Sequence, residues 1–173
     1  IMKKNNKKIT VLGAGTAGCF SALRYSLQSN EVELIHDPGI PSTNVGVATV
    51  PKVTSFVWDW LKDISWYDNN PLDAVPKLGI LYEGWGNTEK NFHAFPFGSL
   101  AMHFRPAKLQ EYILNIGAFK VIEDTISTYD SIDSDIIIDC SGTPIDWDDY
   151  DGLLNPLNAV LLSETDEQDD YSS

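Results

Sequence analysis

The sequence predicts an α/β fold, a parallel sheet with flanking helices. Three observations predict it. A short β-branched apolar run at 8–12 (KITVL) ends on glycine. A helical pattern begins four residues later. A second apolar run at 31–35 (EVELI) then closes the unit. Strand, glycine turn, helix and strand within about thirty residues make a βαβ unit, because the helix supplies the crossover that parallel pairing needs.

The elements follow in order. Residues 8–12 read as a buried strand. Residues 16–28 read as a helix, with Phe20, Leu23 and Leu27 as its apolar stripe. Residues 31–35 are the second strand. Residues 37–44 (DPGIPSTN) form a turn-rich loop. Pro51 opens a further helix, since its missing N–H costs nothing at the first helical position. Val53, Phe56, Val57, Trp60, Leu61 and Ile64 share one face of it. Residues 67–76 are loop and 78–85 a strand. Residues 106–116 are an amphipathic helix with Leu109, Tyr112, Ile113 and Ile116 inward. Short strands are expected at 119–122 and 125–128, a buried strand at 134–139 and one more strand at 158–163.

The composition limits the function classes. With 173 residues, 43% of them hydrophobic, the chain can bury a sizeable core. No apolar run reaches the ~18 residues of a membrane span, and a soluble, cytoplasmic protein is expected. The formal charge is −13, and no Lys or Arg follows Lys120. A nucleic-acid partner needs a basic face to displace counterions, so none is expected. Cys19 and Cys140 are far apart and belong to no metal-ligand pattern, so no metal site is expected. A homo-oligomer stays open.

Gly13-Ala14-Gly15-Thr16-Ala17-Gly18 is a GxGxxG sequence placed between a strand and a helix. That context gives the pattern meaning. Gly13 permits the tight turn, Gly15 lets a pyrophosphate approach the backbone, and Gly18 allows close helix packing. The helix start presents free N–H groups and a positive dipole end to phosphates. A dinucleotide is the expected ligand. An acid usually ends the second strand to bind a ribose hydroxyl. Here His36 takes that place or Asp37 does, one position later.

The chain resembles the flavin-dependent tryptophan halogenases. The resemblance rests on VLGAGTAG (11–18), IPSTNVGVATVP (40–51), KLGILYEGW (77–85) and IDCSG (138–142), with the His103-Phe104 step before a helix. It implies a Rossmann-like FAD-binding fold of the glutathione-reductase type, as the front part of a larger two-domain enzyme. On this resemblance, residues 1–151 hold the FAD-binding domain with early substrate-domain elements. Residues 152–173 begin the substrate-domain sheet, which is incomplete.

The resemblance also implies a chemistry. Reduced FAD, as cosubstrate, is used with oxygen and a halide ion to make hypohalous acid. Lys77 occupies the place of the lysine that relays this oxidant to an electron-rich aromatic substrate, usually an indole. An amine can donate to a hypohalous oxygen or be halogenated reversibly, whereas an arginine stays charged and diffuse. Ala48, Thr49 and Val50 are candidates for flavin-ring contacts, or form a plain loop into the helix. Asp139 and Gly142 would lie near the cofactor, or simply make a turn. A separate flavin reductase is implied as partner. Trp58, Trp66 and Trp147 are pocket walls or plain surface. The departures are specific: the family's loop carries a glutamate where this chain has Val47, and Asn44 replaces a glycine. The family's downstream catalytic glutamate and its Trp-x-Trp-x-Ile-Pro segment do not occur within these 173 residues. An FAD-dependent monooxygenase and a non-catalytic FAD-binding module are the competing readings.

Overall fold

The computed structural model describes residues 7–28, 30–41, 47–61, 64–87 and 89–142. In chain order the elements are β1 (Lys8–Leu12), α1 (Thr16–Ser26), β2 (Glu31–His36), β3 (Val47–Ala48), α2 (Pro51–Trp60), β4 (Val75–Lys77), β5 (Gly79–Glu83), β6 (Lys90–Ala94), β7 (Ala101–Phe104), α3 (Pro106–Asn115), β8 (Lys120–Glu123) and β9 (Ile136–Asp139). A 3-10 turn covers Tyr129–Ser131. The strand expected at 158–163, Trp147 and the boundary at 151/152 lie outside the described residues.

The main sheet has the order β8-β2-β1-β9, and all its pairings are parallel. β1 is central, so its residues must be apolar on both faces. Ile9, Val11 and Leu12 are buried accordingly, as is Thr10. α1 packs on this sheet through Cys19, Ala22 and Leu23 and meets α3. Leu109 and Ile113 give α3 its buried face. Burying each such Leu or Ile stabilises the fold by roughly 1.5–3 kcal/mol.

A second sheet, β3-β7-β4, is antiparallel, and β5 with β6 forms a separate hairpin. α2 packs against β7. One continuous core joins both layers, running from Ile9 and Leu34 through Val57 and Leu72 to Met102 and Phe104.

Several expectations are corrected. Residues 67–76 were expected as loop, but β4 begins at Val75, with Pro76 inside it. A proline is tolerated there because β4 is an edge strand, where one N–H is not needed. Residues 125–128 form no strand. The Thr125 hydroxyl instead bonds the Asp37 carboxylate at 2.7 Å, and Thr128 caps the 3-10 turn. The strand expected as buried at 134–139 is shorter, and it lies at a sheet edge with Ile136 41% exposed. α2 ends at Trp60, though Leu61 and Ile64 beyond it stay buried. β6 and β7 were not anticipated.

Candidate functional site

A cleft of ≈ 710 Å³ runs across the carboxyl ends of the four parallel strands. Leu12 and Gly13 leave β1, His36 and Asp37 leave β2, Asp124 and Thr125 follow β8, and Cys140 to Gly142 follow β9. Open parallel sheets bind ligands at this edge, where the connections from neighbouring strands diverge. Three backbone bonds extend the ladder into the rim: Gly13 N–H to the Ile35 carbonyl (2.8 Å), Cys140 N–H to Leu12 (2.8 Å) and Asp124 N–H to His36 (3.0 Å).

The glycine turn has a distinct reason at each position. Gly13 has φ +89°, and a Cβ there would meet the Cys140 carbonyl oxygen at 2.7 Å. Gly18 is buried, and its Cβ would lie 1.8 Å from the Gly13 carbonyl oxygen. Its bare Cα therefore lets α1 close on the turn itself and on β9 behind it. Gly15 differs: it has ordinary extended backbone, and a Cβ would meet nothing within 4 Å. The space above Gly15 is open to a ligand. Ala14 is buried and lines the cleft with Gly15 and Thr16. Ala17 and Gly18 do not line it.

No side chain caps α1, and no acid lies in its first turn. The first N–H groups of a helix have no intrahelical partners. Here they open onto a cleft with no Lys or Arg among its described lining residues. A diphosphate seated there would be held by main-chain amides and the helix dipole.

At the other end, His36 and Asp37 both line the cleft. Asp37 accepts from the Thr125 hydroxyl and from the Gly39 N–H, each at 2.7 Å. These donors, the Thr125 hydroxyl foremost, hold its carboxyl below the usual carboxylate range. Sequence reasoning missed Thr125, Asp124 and Gln110 in the lining. The sequence carries no local signal for Thr125, which reaches Asp37 only through the β2–β8 pairing.

Gly142, at φ +88°, lines the cleft, whereas Asp139 stands behind it. The Asp139 carboxylate accepts from the Ser141 N–H (2.8 Å) and hydroxyl (2.6 Å) and from the Tyr129 hydroxyl (2.5 Å). It braces the turn after β9. Cys140 also borders the cleft. Burial, with Cys140 nearby, pushes the Cys19 thiol up to about 12.

Ala48, Thr49, Val50 and Lys77 are not part of this cleft. They form a second cluster on the β3-β7-β4 sheet. Thr49 is buried. Its N–H and hydroxyl both donate to the Met102 carbonyl, at 2.8 and 2.9 Å, while its hydroxyl accepts from the Met102 N–H at 2.9 Å. The Thr54 hydroxyl lies 3.1 Å away. Ala48 and Val50, either side of Thr49, are exposed. Lys77 is half-buried, and its Nζ donates to the Thr49 carbonyl at 3.3 Å. The fold thus joins two positions that the sequence separates by 28 residues.

An open groove of ≈ 800 Å³ begins at the next residue, Pro51, and is walled by Trp58, Ile64, Trp66 and Tyr67. Trp58 and Trp66 are therefore groove walls. Among the described residues, no group of three His, Cys, Asp or Glu side chains could hold a metal ion. No described helix is long and apolar enough to cross a membrane.

The first cleft fits FAD by its own features: open space over Gly15, an uncapped and acid-free helix start, and hydrogen-bonding side chains at the β2 end. The family model described as tryptophan halogenase matches residues 8–130. A tryptophan 6-halogenase from Streptomyces toxytricini is 18% identical, with a TM-score of 0.64 over 78% of this chain and 42% of its own. A flavin-dependent halogenase from Xanthomonas campestris is 18% identical, with a TM-score of 0.60 over 70% of this chain and 36% of its own. The chain thus spans less than half the length of either protein. Comparison with curated proteins finds no match.

Proposed function

The chain belongs to the tryptophan halogenase family, and from that premise we propose that it forms the flavin-binding part of a halogenase acting on a small, electron-rich aromatic compound. Family membership implies FAD as cofactor. Reduced FAD, when bound, supplies the electrons with which oxygen and a halide ion yield hypohalous acid. A separate flavin reductase provides it in reduced form.

The remaining roles belong to this chain's own residues. The amides of the turn at 13–18 bind the diphosphate, with Gly15 offering no Cβ to obstruct it. His36 or Asp37 accepts a ribose hydroxyl; Asp37 is already held as an acceptor by Thr125 and Gly39. Gly142 borders the same cleft, and Asp139 keeps its turn in place. The segment Ala48-Thr49-Val50 would supply flavin-ring contacts, and its Thr49 carbonyl holds the Lys77 amine. Lys77 holds the oxidant by donating to its oxygen, or takes the halogen onto nitrogen with loss of water. The groove beginning at Pro51, with Trp58 and Trp66, offers aromatic walls to the acceptor.

One observation carries this reading. Lys77 is drawn inward to the Thr49 carbonyl (3.3 Å) instead of extending into solvent. The test is incubation of the complete protein with reduced FAD, oxygen, bromide and a panel of indoles, read for the bromine isotope doublet. Brominated product that disappears in Lys77→Ala, with FAD binding retained, is the expected result. A hydroxylated product, or bromination undiminished without Lys77, overturns the reading.

A further inference from the structure

We infer that Phe95 is a positioning residue for Lys77, its ring and the Thr49 carbonyl holding the amine between them where the β3-β7-β4 sheet meets the β5–β6 hairpin. The inference rests on the reading of Lys77 as the relay, and it concerns what aims that relay.

The geometry is specific. Nζ of Lys77 lies 5.6 Å from the centroid of the Phe95 ring and 3.3 Å from the Thr49 carbonyl oxygen. The first distance is within cation–π range. Both partners are anchored. The Phe95 N–H donates to the Leu78 carbonyl at 2.9 Å, which ties the ring's backbone to the residue next to Lys77. Thr49 is pinned to Met102 through its N–H and its hydroxyl. The amine is therefore gripped from two elements that cannot drift independently.

The neighbouring phenylalanines show that this is not a general property of the segment. Phe92 is 57% exposed and Phe97 fully so, whereas Phe95 is half-buried against the lysine. A lysine side chain has four rotatable carbons and loses little freedom to one surface hydrogen bond. Two contacts, to the Thr49 carbonyl and to the Phe95 ring, restrict Nζ more than either does alone. A relay must present the halogen along one approach, and small misplacements of a reacting group are costly. An aliphatic residue could fill the space but offers no ring face to the cation.

The test needs no turnover. The native chain is treated with limiting N-hydroxysuccinimidyl acetate, and acylation rates are read site by site by peptide mass spectrometry, with exposed Lys52 as internal reference. In the parent, Lys77 should react several-fold more slowly than Lys52. Phe95→Leu should raise the Lys77 rate about two- to fivefold, leaving Lys52 unchanged. Phe95→Tyr, which keeps the ring face, should keep the parent rate. Lys77 reacting as fast as Lys52 in the parent overturns the inference, as does an unchanged rate in Phe95→Leu or a Leu-like rate in Phe95→Tyr. If Phe95→Leu does not fold, the parent and Phe95→Tyr decide. A Lys77→Ala protein that still halogenates would end the relay while leaving these rates as they are, so the two failures are distinguishable.

Discussion

Placing valine at Gly15 separates ligand binding from folding. The backbone at Gly15 is extended, φ −66° and ψ 179°, which suits any residue. No atom lies within 4 Å of the added Cβ. The fold therefore loses only the preference for glycine over an aliphatic residue at a helix N-cap, about 1 kcal/mol. For a chain of this size that lowers Tm by about 2–4 °C. The ligand meets a different situation, because the new side chain stands where the diphosphate must approach the amides. Affinity should fall by at least about a hundredfold, roughly 2.7 kcal/mol. The assay is titration of the protein into FAD, followed by quenching of flavin fluorescence, beside a thermal melt. Gly18→Ala is the control of opposite kind. Its Cβ would lie 1.8 Å from a backbone oxygen, so it should cost about 3 kcal/mol, or about 6–12 °C. A Gly15→Val protein that binds FAD with the parent affinity would show that the turn is not the phosphate seat.

Other outcomes are expected. Thr49→Val removes the hydroxyl that both donates to and accepts from Met102; leaving those groups underpartnered should cost about 1–3 kcal/mol, seen as a lower midpoint in urea, and an unchanged midpoint contradicts it. Asp37 has a lowered pKa in the folded chain, so the unfolded chain takes the proton first. Its contribution is complete above the ordinary carboxylate range and is lost as pH falls through the lower folded value. Asp37→Asn should accordingly lose less stability than the parent across that acid window, and equal pH slopes would refute the linkage. Cys19 is fully buried, with its thiol pushed up to about 12, so the reactive thiolate is scarce at neutral pH; iodoacetamide should label it only after denaturation, and rapid native labelling would contradict its burial.

What could be read in the chain by itself was local and periodic. The run at 8–12, the glycine turn, the helix after it and the run at 31–35 each carry their own signal, and the observed elements begin where that signal begins. Pro51 and Pro106 marked two helix starts, because a proline there forfeits nothing. Only the tertiary structure decided the rest. β7 (AMHF) lacks β-branched residues and is a strand because β3 and β4 pair with it on either side. Residues 125–128 look extended in composition, yet the Asp37 carboxylate recruits Thr125 into the rim of the cleft. The glycine spacing predicts a phosphate seat, but the backbone that a Cβ at Gly13 would strike is there only once β9 brings Cys140 beside the turn. Likewise, a lysine after a proline says nothing about where its amine points. That direction comes from a carbonyl 28 residues earlier and a ring 18 residues later, which meet only when sheet and hairpin have formed.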